Sequence, residues 1–422
     1  MGQSLRATMN KKSLVSLLKN QNYILLQIGI FISRTGSFMQ DVAVNWQIYQ
    51  LTKSPLSLGI VGLAKFLPVL ILSMVSGIAA DVFNRKKIIF LVQFFSIINS
   101  LILAFLTITG KITPTLIYIL VGLESGFASF ETPARQSMLP NLVKKEDFPL
   151  AVNINNLLYS STNFIGPAIS GFIIAFWGVK SIYLINSVSF FAVIIVLLLM
   201  KPILKTLEKK PELNLKSIME GIKFVFNTPL ILSSMMIDFV ATFFASASTL
   251  MPIFAVDILK VGPKGLGFLY AAPSIGAILA GIIFPFINRI KNKGKLLIFS
   301  VCFYGLNTIL FALSRNFYLS LFFIALSGSG DLMSSVIRNV IRQLNTPDHI
   351  RGRMTAVNMV FYIGGPQLGE TEAGFAAYLM GTPLSVVFGG IATIIATIYI
   401  AVKTPQLLKS ITTTQSGGMI LA

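Results

Sequence analysis

Apolar residues fill this chain in long blocks separated by short polar loops. Blocks long enough to cross a hydrocarbon core, about 20 residues on a helix, fall near 22–50, 56–80, 86–109, 113–136, 150–176, 179–200, 229–257, 265–288, 294–314, 317–342, 354–379 and 382–402. The pattern predicts twelve membrane-spanning helices. The longest polar break, KPILKTLEKKPELNLK from Lys201 to Lys216, carries prolines at 202 and 211 and divides the spans six and six. Just beyond it, Leu215, Ile218, Met219, Ile222, Val225 and Phe226 share one helical face, with Lys216, Glu220 and Lys223 elsewhere. That is the pattern of an amphipathic helix lying on a membrane surface.

The two halves echo one another. GIAADVFNR at 77–85 matches GIIFPFINR at 281–289, an offset of 204, and Ala151-Val-Asn153 matches Ala356-Val-Asn358 at an offset of 205. A duplicated six-span unit follows, the layout in which transporters place a substrate site at the interface between repeats. The expected fold is an all-α membrane protein of two pseudo-symmetric six-helix bundles: residues 1–200, a cytoplasmic linker at 201–228, a second bundle at 229–403 and a tail at 404–422.

Composition agrees, with 54% hydrophobic and 12% charged residues against roughly 25% charged in soluble domains, and a mean hydropathy of +0.79. The net charge of +19 raises nucleic-acid binding, but its distribution argues for topology instead. With the N-terminus inside, only Lys53, Lys111, Lys180, Lys260, Lys264 and Arg315 fall outside, Arg34 and Lys65 lie within the membrane, and the rest of the 34 basic residues lie on the inner side. This is the positive-inside bias; it places both termini in the cytoplasm and favours anionic lipid at the inner face. The basic first 21 residues lead into a long span with no small-residue cleavage site, so an uncleaved first helix is expected.

The chemistry of catalysis is missing from the sequence. Cys302 is the one cysteine and excludes an intrachain disulfide, and His349 has no partner at metal-ligand spacing. No G-x-x-x-x-G-K-[ST] occurs, which argues against ATP drive. No cofactor and no enzyme activity are expected.

Between spans two and three the chain reads Gly77-Ile-Ala-Ala-Asp81-Val-Phe-Asn-Arg85-Lys86-Lys87. This resembles the loop signature of the major facilitator superfamily, G-x-x-x-D-R-x-G-R-[RK], with Gly77, Asp81, Arg85 and Lys86 matching and Val82 and Asn84 departing. The resemblance implies a cytoplasmic gate latch, for which Glu131 is the expected partner of Arg85. In span five, Gly166-Pro167-Ala-Ile-Ser170-Gly171 resembles the exporter-associated motif G-P-x-x-G-G, with Ser170 replacing one glycine; the alternative is a packing kink without bearing on direction. MQDVAVNWQIYQLTKSPLSLGIVGLAKFLP (39–68), GFLYAAPSIGAILAG (267–281) and RGRMTAVNMVFYIGGPQLGETEAG (351–374) look like the bacterial branch of siderophore and drug exporters that contains the enterobactin exporter. The likeness runs from about Asn22 to Lys403 and implies a bacterial cytoplasmic membrane.

Charges at the bilayer centre cost at least about 2.5 to 3.5 kcal/mol, so they are expected to face an interior or a partner. Arg34 lies near mid-membrane, and the 204-residue offset sets Asp238 of span seven opposite it, an expected inter-domain pair. Asp41, two helical turns from Arg34 on the same face, lies nearer the outer mouth, and Lys65 is expected to snorkel outward. Glu124 in span four and Asp331 in span ten occupy corresponding mid-depth positions with no basic residue of their own span within a turn. With Asp41, Asp238 and Glu370 they form the set of candidate proton carriers, since burial raises a carboxyl pKa toward ambient pH.

The function expected is a proton-coupled secondary active exporter of a small amphipathic or aromatic molecule, working by alternating access. An importer or lipid transporter of the same fold is the alternative, and a membrane enzyme or sensor the third reading.

Overall fold

The structure, a computed structural model, describes residues 11–144, 146–201, 215–245, 247–287, 292–347, 350–408, 411–413 and 419–421. Most of the linker, His349 and the 288–291 end of the repeated loop lie outside the described residues. A short helix, α1 (Lys11–Lys19), precedes six long ones: α2 (Gln21–Thr52), α3 (Pro55–Val82), α4 (Arg85–Ile108), α5 (Pro114–Met138), α6 (Phe148–Trp177) and α7 (Val179–Leu199). Beyond the linker come α8 (Leu215–Asn227), α9 (Pro229–Phe244), α10 (Gly262–Ile287), α11 (Lys293–Leu313), α12 (Phe317–Leu344), α13 (Arg351–Met380) and α14 (Thr382–Lys403). Ile411–Thr413 and Met419–Leu421 pair as a two-stranded antiparallel ribbon in the tail.

The chain separates into two compact units, residues 1–51 with 64–212 and residues 52–63 with 213–422. The first turns of α3 thus cluster with the second unit. Among the described residues, nine helices are long and apolar enough to cross a membrane. The long helices outside that nine are α2, α5 and α13, which carry Arg34 and Asp41, Glu124 and Glu131, and Glu370 and Glu372. The charges that mark the candidate site also lower those helices' hydropathy.

Side-chain caps start the helices where polar residues stand before an apolar run. Asn84 accepts from the Lys86 amide, Thr113 from Leu116, Asn292 from Lys295, and Asn316 from Tyr318 and Leu319. Each satisfies an amide that the helix itself leaves open. Span seven, expected to be continuous to 257, is interrupted: α9 ends at Phe244, and the chain continues through short turns at Ser248–Leu250 and Met251–Ile253 and a wider one at Phe254–Ile258. Beyond the end of α9, Thr249 donates to the Leu58 carbonyl.

The duplication is written in the backbone. Lys53 and Lys260, after α2 and after the broken seventh span, both adopt positive φ, 51° and 54°. Gly178 and Gly381, before α7 and α14, share φ 76° and 86°, a region that a Cβ disfavours. The cores correspond as well: Leu26, Ile89, Ala134 and Met138 pack together in the first unit, and Leu230, Leu297, Ile337 and Ile341 in the second.

α8 is divided between two tasks. Val225 is fully buried with Ile231, Met235 and Met354, and Glu220 pairs with Arg353 at the start of α13. Met219 and Phe226 remain exposed, so the single apolar face expected for this helix is split between the protein and its surroundings.

Candidate functional site

In the first unit, α2 delivers its polar side chains to its neighbours. The Arg34 guanidinium lies 4.9 Å from the centre of the Tyr159 ring on α6, a cation–π contact. Asp41 pairs with Lys65 of α3 at 2.8 Å, so Lys65 is an ion-pair partner rather than a snorkelling base. Its ammonium reaches the carboxylate because α2 and α3 are joined by a short turn. Deeper in, Gln40 accepts from Ser100 and Asn186 at 2.9 Å each, while Gln47 accepts from Tyr183 at 2.6 Å and donates to Thr107 at 3.0 Å. These buried polar residues tie α2 to α4 and α7, and nothing in their spacing distinguished them beforehand from ordinary span residues.

Glu124, half-buried on α5, accepts from Asn99 of α4 at 3.0 Å and from Ser96. Its hydrogen-bond donors are neutral. Two turns further along α5, Glu131 pairs with Arg135 four residues away. This corrects the expected Arg85–Glu131 pair. Arg85 donates to the Ser137 carbonyl at 2.7 Å instead, near the end of α5, a carbonyl that Asn141 also reaches at 3.4 Å. Gly77 has open space around it, Lys86 donates to the Met200 carbonyl at 3.3 Å, and the Asp81 side chain lies outside the described residues.

The exporter-like stretch of α6 is a packing surface. A methyl group added at Gly166 would lie 2.8 Å from Phe38 Cβ and 2.9 Å from the Thr35 carbonyl oxygen. Pro167 is buried beside it, and Ser170 donates to the Met39 carbonyl at 3.1 Å; Gly171 is buried too. The second unit repeats the device, with Gly365-Pro366 of α13 set against Phe239 and Thr242 of α9 and Gly369 against the Phe243 carbonyl. Phe239, Thr242 and Phe243 are Thr35, Phe38 and Met39 displaced by 204 positions.

Also in the second unit, Asp238 of α9 is enclosed by two arginines of α12. Arg338 reaches it at 2.9 Å and Arg342 at 3.5 Å. Both carboxylate oxygens are therefore taken within the unit, which corrects the pair expected with Arg34. Arg338 also lies 3.7 Å from Asp331, two turns earlier on its own helix, and Arg342 donates to Asn358 at 2.5 Å and Asn339 at 2.8 Å. Arg338 is only 2% exposed, whereas the Asp331 side chain is 49% exposed. Arg338, Arg342 and Arg135, placed with the inner loops by sequence, are side chains of the helix interior. Glu370 of α13 is half-buried, with its Cβ against Gly62 of α3 in the same unit. The described residues contain no metal-binding cluster of His, Cys, Asp and Glu.

Buried charges on a duplicated helical frame are the makings of a membrane transporter, and residues 12–416 match a family described as transmembrane secretion effector. The chain belongs to that family. It is a multi-pass membrane transporter of the major facilitator type and not an enzyme. Among curated relatives, the enterobactin exporter EntS of Escherichia coli is 28% identical over 385 residues, 89% of this chain and 91% of that one. The staphyloferrin A transporter of Staphylococcus aureus is 25% identical, covering 87% and 92%. The multidrug efflux pump Tap of Mycolicibacterium fortuitum is 25% identical, covering 83% and 88%. Among solved structures, a bacterial homologue of the iron transporter ferroportin in an inward-facing state has the same fold, with TM-score 0.70, 18% identity, and coverage of 93% and 99%. So does a bacterial homologue of the lysosomal transporter Spinster, with TM-score 0.69, 13% identity, and coverage of 92% and 96%.

Proposed function

We propose that this secretion effector is a proton-coupled exporter of a small amphipathic molecule of the siderophore or drug class, working by alternating access with both termini in the cytoplasm. The observation that carries the coupling is Glu124, a carboxyl in a membrane helix whose donors, Asn99 and Ser96, are neutral. Neutral donors leave both the charged and the protonated form open to it. Glu124 is therefore the first proton carrier and Asp331, with its single loose arginine contact, the second; Asp238, whose two oxygens are held by Arg338 and Arg342, comes after them. Asp41 is committed to Lys65 and ranks lower, as does Glu370. The exporter and efflux names of the relatives support the direction and the substrate class.

Around that centre, residues 1–200 and 229–403 act as the two moving bodies. The 201–228 linker and the 404–422 tail lie on the cytoplasmic side. Gly77, Asp81, Arg85 and Lys86 form a latch that favours the state closed toward the cytoplasm.

The test is transport in everted vesicles under an imposed pH gradient, with a panel of siderophores and cationic drugs. Uphill accumulation that collapses with a protonophore is expected. Glu124→Gln should abolish accumulation and keep downhill exchange; a Gln variant that still concentrates substrate removes Glu124 from the coupling. An importer or lipid transporter of the same fold would accumulate no panel substrate in that orientation.

A further inference from the structure

The three bases that open α4 diverge, as a 100° step per residue requires. Arg85 turns to the end of α5 and Lys86 to the end of α7, where its ammonium meets the Met200 carbonyl at 3.3 Å. Lys87 points outward and is exposed. Between the start of α4 and the end of α7 lies a groove of about 460 Å³, lined by Asn84, Lys86 and Lys87 at one end and by Phe90, Leu91, Leu197 and Leu198 at the other. Among the described residues no acidic side chain lines it. Leu91 is 53% and Leu198 70% exposed.

We infer that this groove binds an anionic phospholipid, with the headgroup phosphate between Lys86 and Lys87 and one acyl chain along Phe90, Leu91 and Leu198. In any bilayer the exposed leucines are covered by lipid tails, so the apolar wall needs no special partner. The lysines decide which lipid stays. They stand one helical turn from Phe90 and Leu91, at the spacing that separates a headgroup from its first methylenes. Two ammonium groups, with no carboxylate beside them among the described lining residues, select a net negative headgroup over a zwitterionic one, as basic pockets between membrane helices do. Asn84, which caps α4 where the superfamily loop signature has glycine, adds an amide to the polar end. The site lies wholly in the first unit and holds whether or not transport is proton-coupled.

The test is native mass spectrometry of the full chain in mild detergent, titrated with phosphatidylglycerol or phosphatidylcholine. Phosphatidylglycerol should bind at least tenfold more tightly; equal binding of the two lipids overturns the site. Lys86→Gln/Lys87→Gln should weaken phosphatidylglycerol binding about 25-fold, at about fivefold per lysine, and Lys86→Arg/Lys87→Arg should retain it. Unchanged affinity in the double Gln variant overturns the assignment. Should loss of the Met200 contact unfold that variant, Lys87→Gln alone is expected to lose about fivefold, and no loss overturns it. Leu198→Trp, which fills the apolar end and keeps both lysines, should also weaken binding. Glycerol phosphate should not compete at equal concentration; if it does, the groove is an anion site and not a lipid site.

Discussion

Arg338 is the most consequential buried side chain in the second unit. Its guanidinium is fully enclosed and holds Asp238 at 2.9 Å. Breaking a buried ion pair strands the other charge and typically costs about 3 to 5 kcal/mol, whereas removing both charges costs far less. Asp238→Asn strands both Arg338 and Arg342 and should therefore lower the thermal midpoint in detergent more than Arg338→Gln, which leaves Asp238 its contact with Arg342. An equal or smaller loss in Asp238→Asn would mean that the two arginines are held chiefly by other contacts. The depth of Glu124 and Asp331 could be read from their position in apolar runs. Arg135, Arg338 and Arg342 could not, because a base near the end of a span counts equally well as a loop charge. Spacing held the missing signal: Glu131–Arg135 and Arg338–Arg342 lie four apart and Asp331–Arg338 seven apart, each on one helical face. Charge points Arg85 to Glu131, but a helix-end carbonyl serves it as well.

At the scale of elements, the repeated Gly-Pro pairs make a graded expectation. Gly365 sits against the Thr242 side chain, and Gly166 against Phe38 Cβ and the Thr35 carbonyl, so a larger side chain at either position has to displace its neighbours. Gly365→Val should lower stability by about 1 to 3 kcal/mol, the range for overpacking, while Gly77→Ala, in open space, should be neutral; purified yield and thermal midpoint separate them. Recurrence in α13 favours packing over a directional role for Gly166, Pro167 and Gly171, a conclusion the motif in α6 could not give by itself. A second expectation concerns α1. Hydrogen bonds from Ser13 and Ser16 hold the Asp147 carboxyl, in the loop before α6, below its ordinary range. A depressed acid stabilises the docked helix above its unfolded pKa of about 3.9 and loses that effect as pH falls through the folded value. Hydrogen exchange in Lys11–Lys19, corrected for intrinsic rate, should stay constant from pH 8 to 5 and rise below about pH 4; Asp147→Asn should exchange faster already at neutral pH.

Across the whole molecule, the duplicated frame was legible because a 204-residue offset survives in loops such as 77–85, where helix ends constrain sequence. The corresponding charges are not copies: Arg34 stands where the second half has Asp238, and each is matched inside its own unit. Pseudo-symmetry fixes position and leaves partnership to neighbours. The polarity of α2, α5 and α13 also sets the order in which the chain can be made. A helix carrying unmatched charge does not settle alone in hydrocarbon. The Asn99 donor for Glu124 is in α4 and is synthesised before the helix that needs it. For α2 the sequence runs the other way, since Lys65 and the donors Ser100 and Asn186 all come later. A nascent chain halted after Thr52 should therefore remain extractable by alkaline carbonate, and one halted after Val82 should resist it. The first long helix to leave the ribosome is the one that must wait.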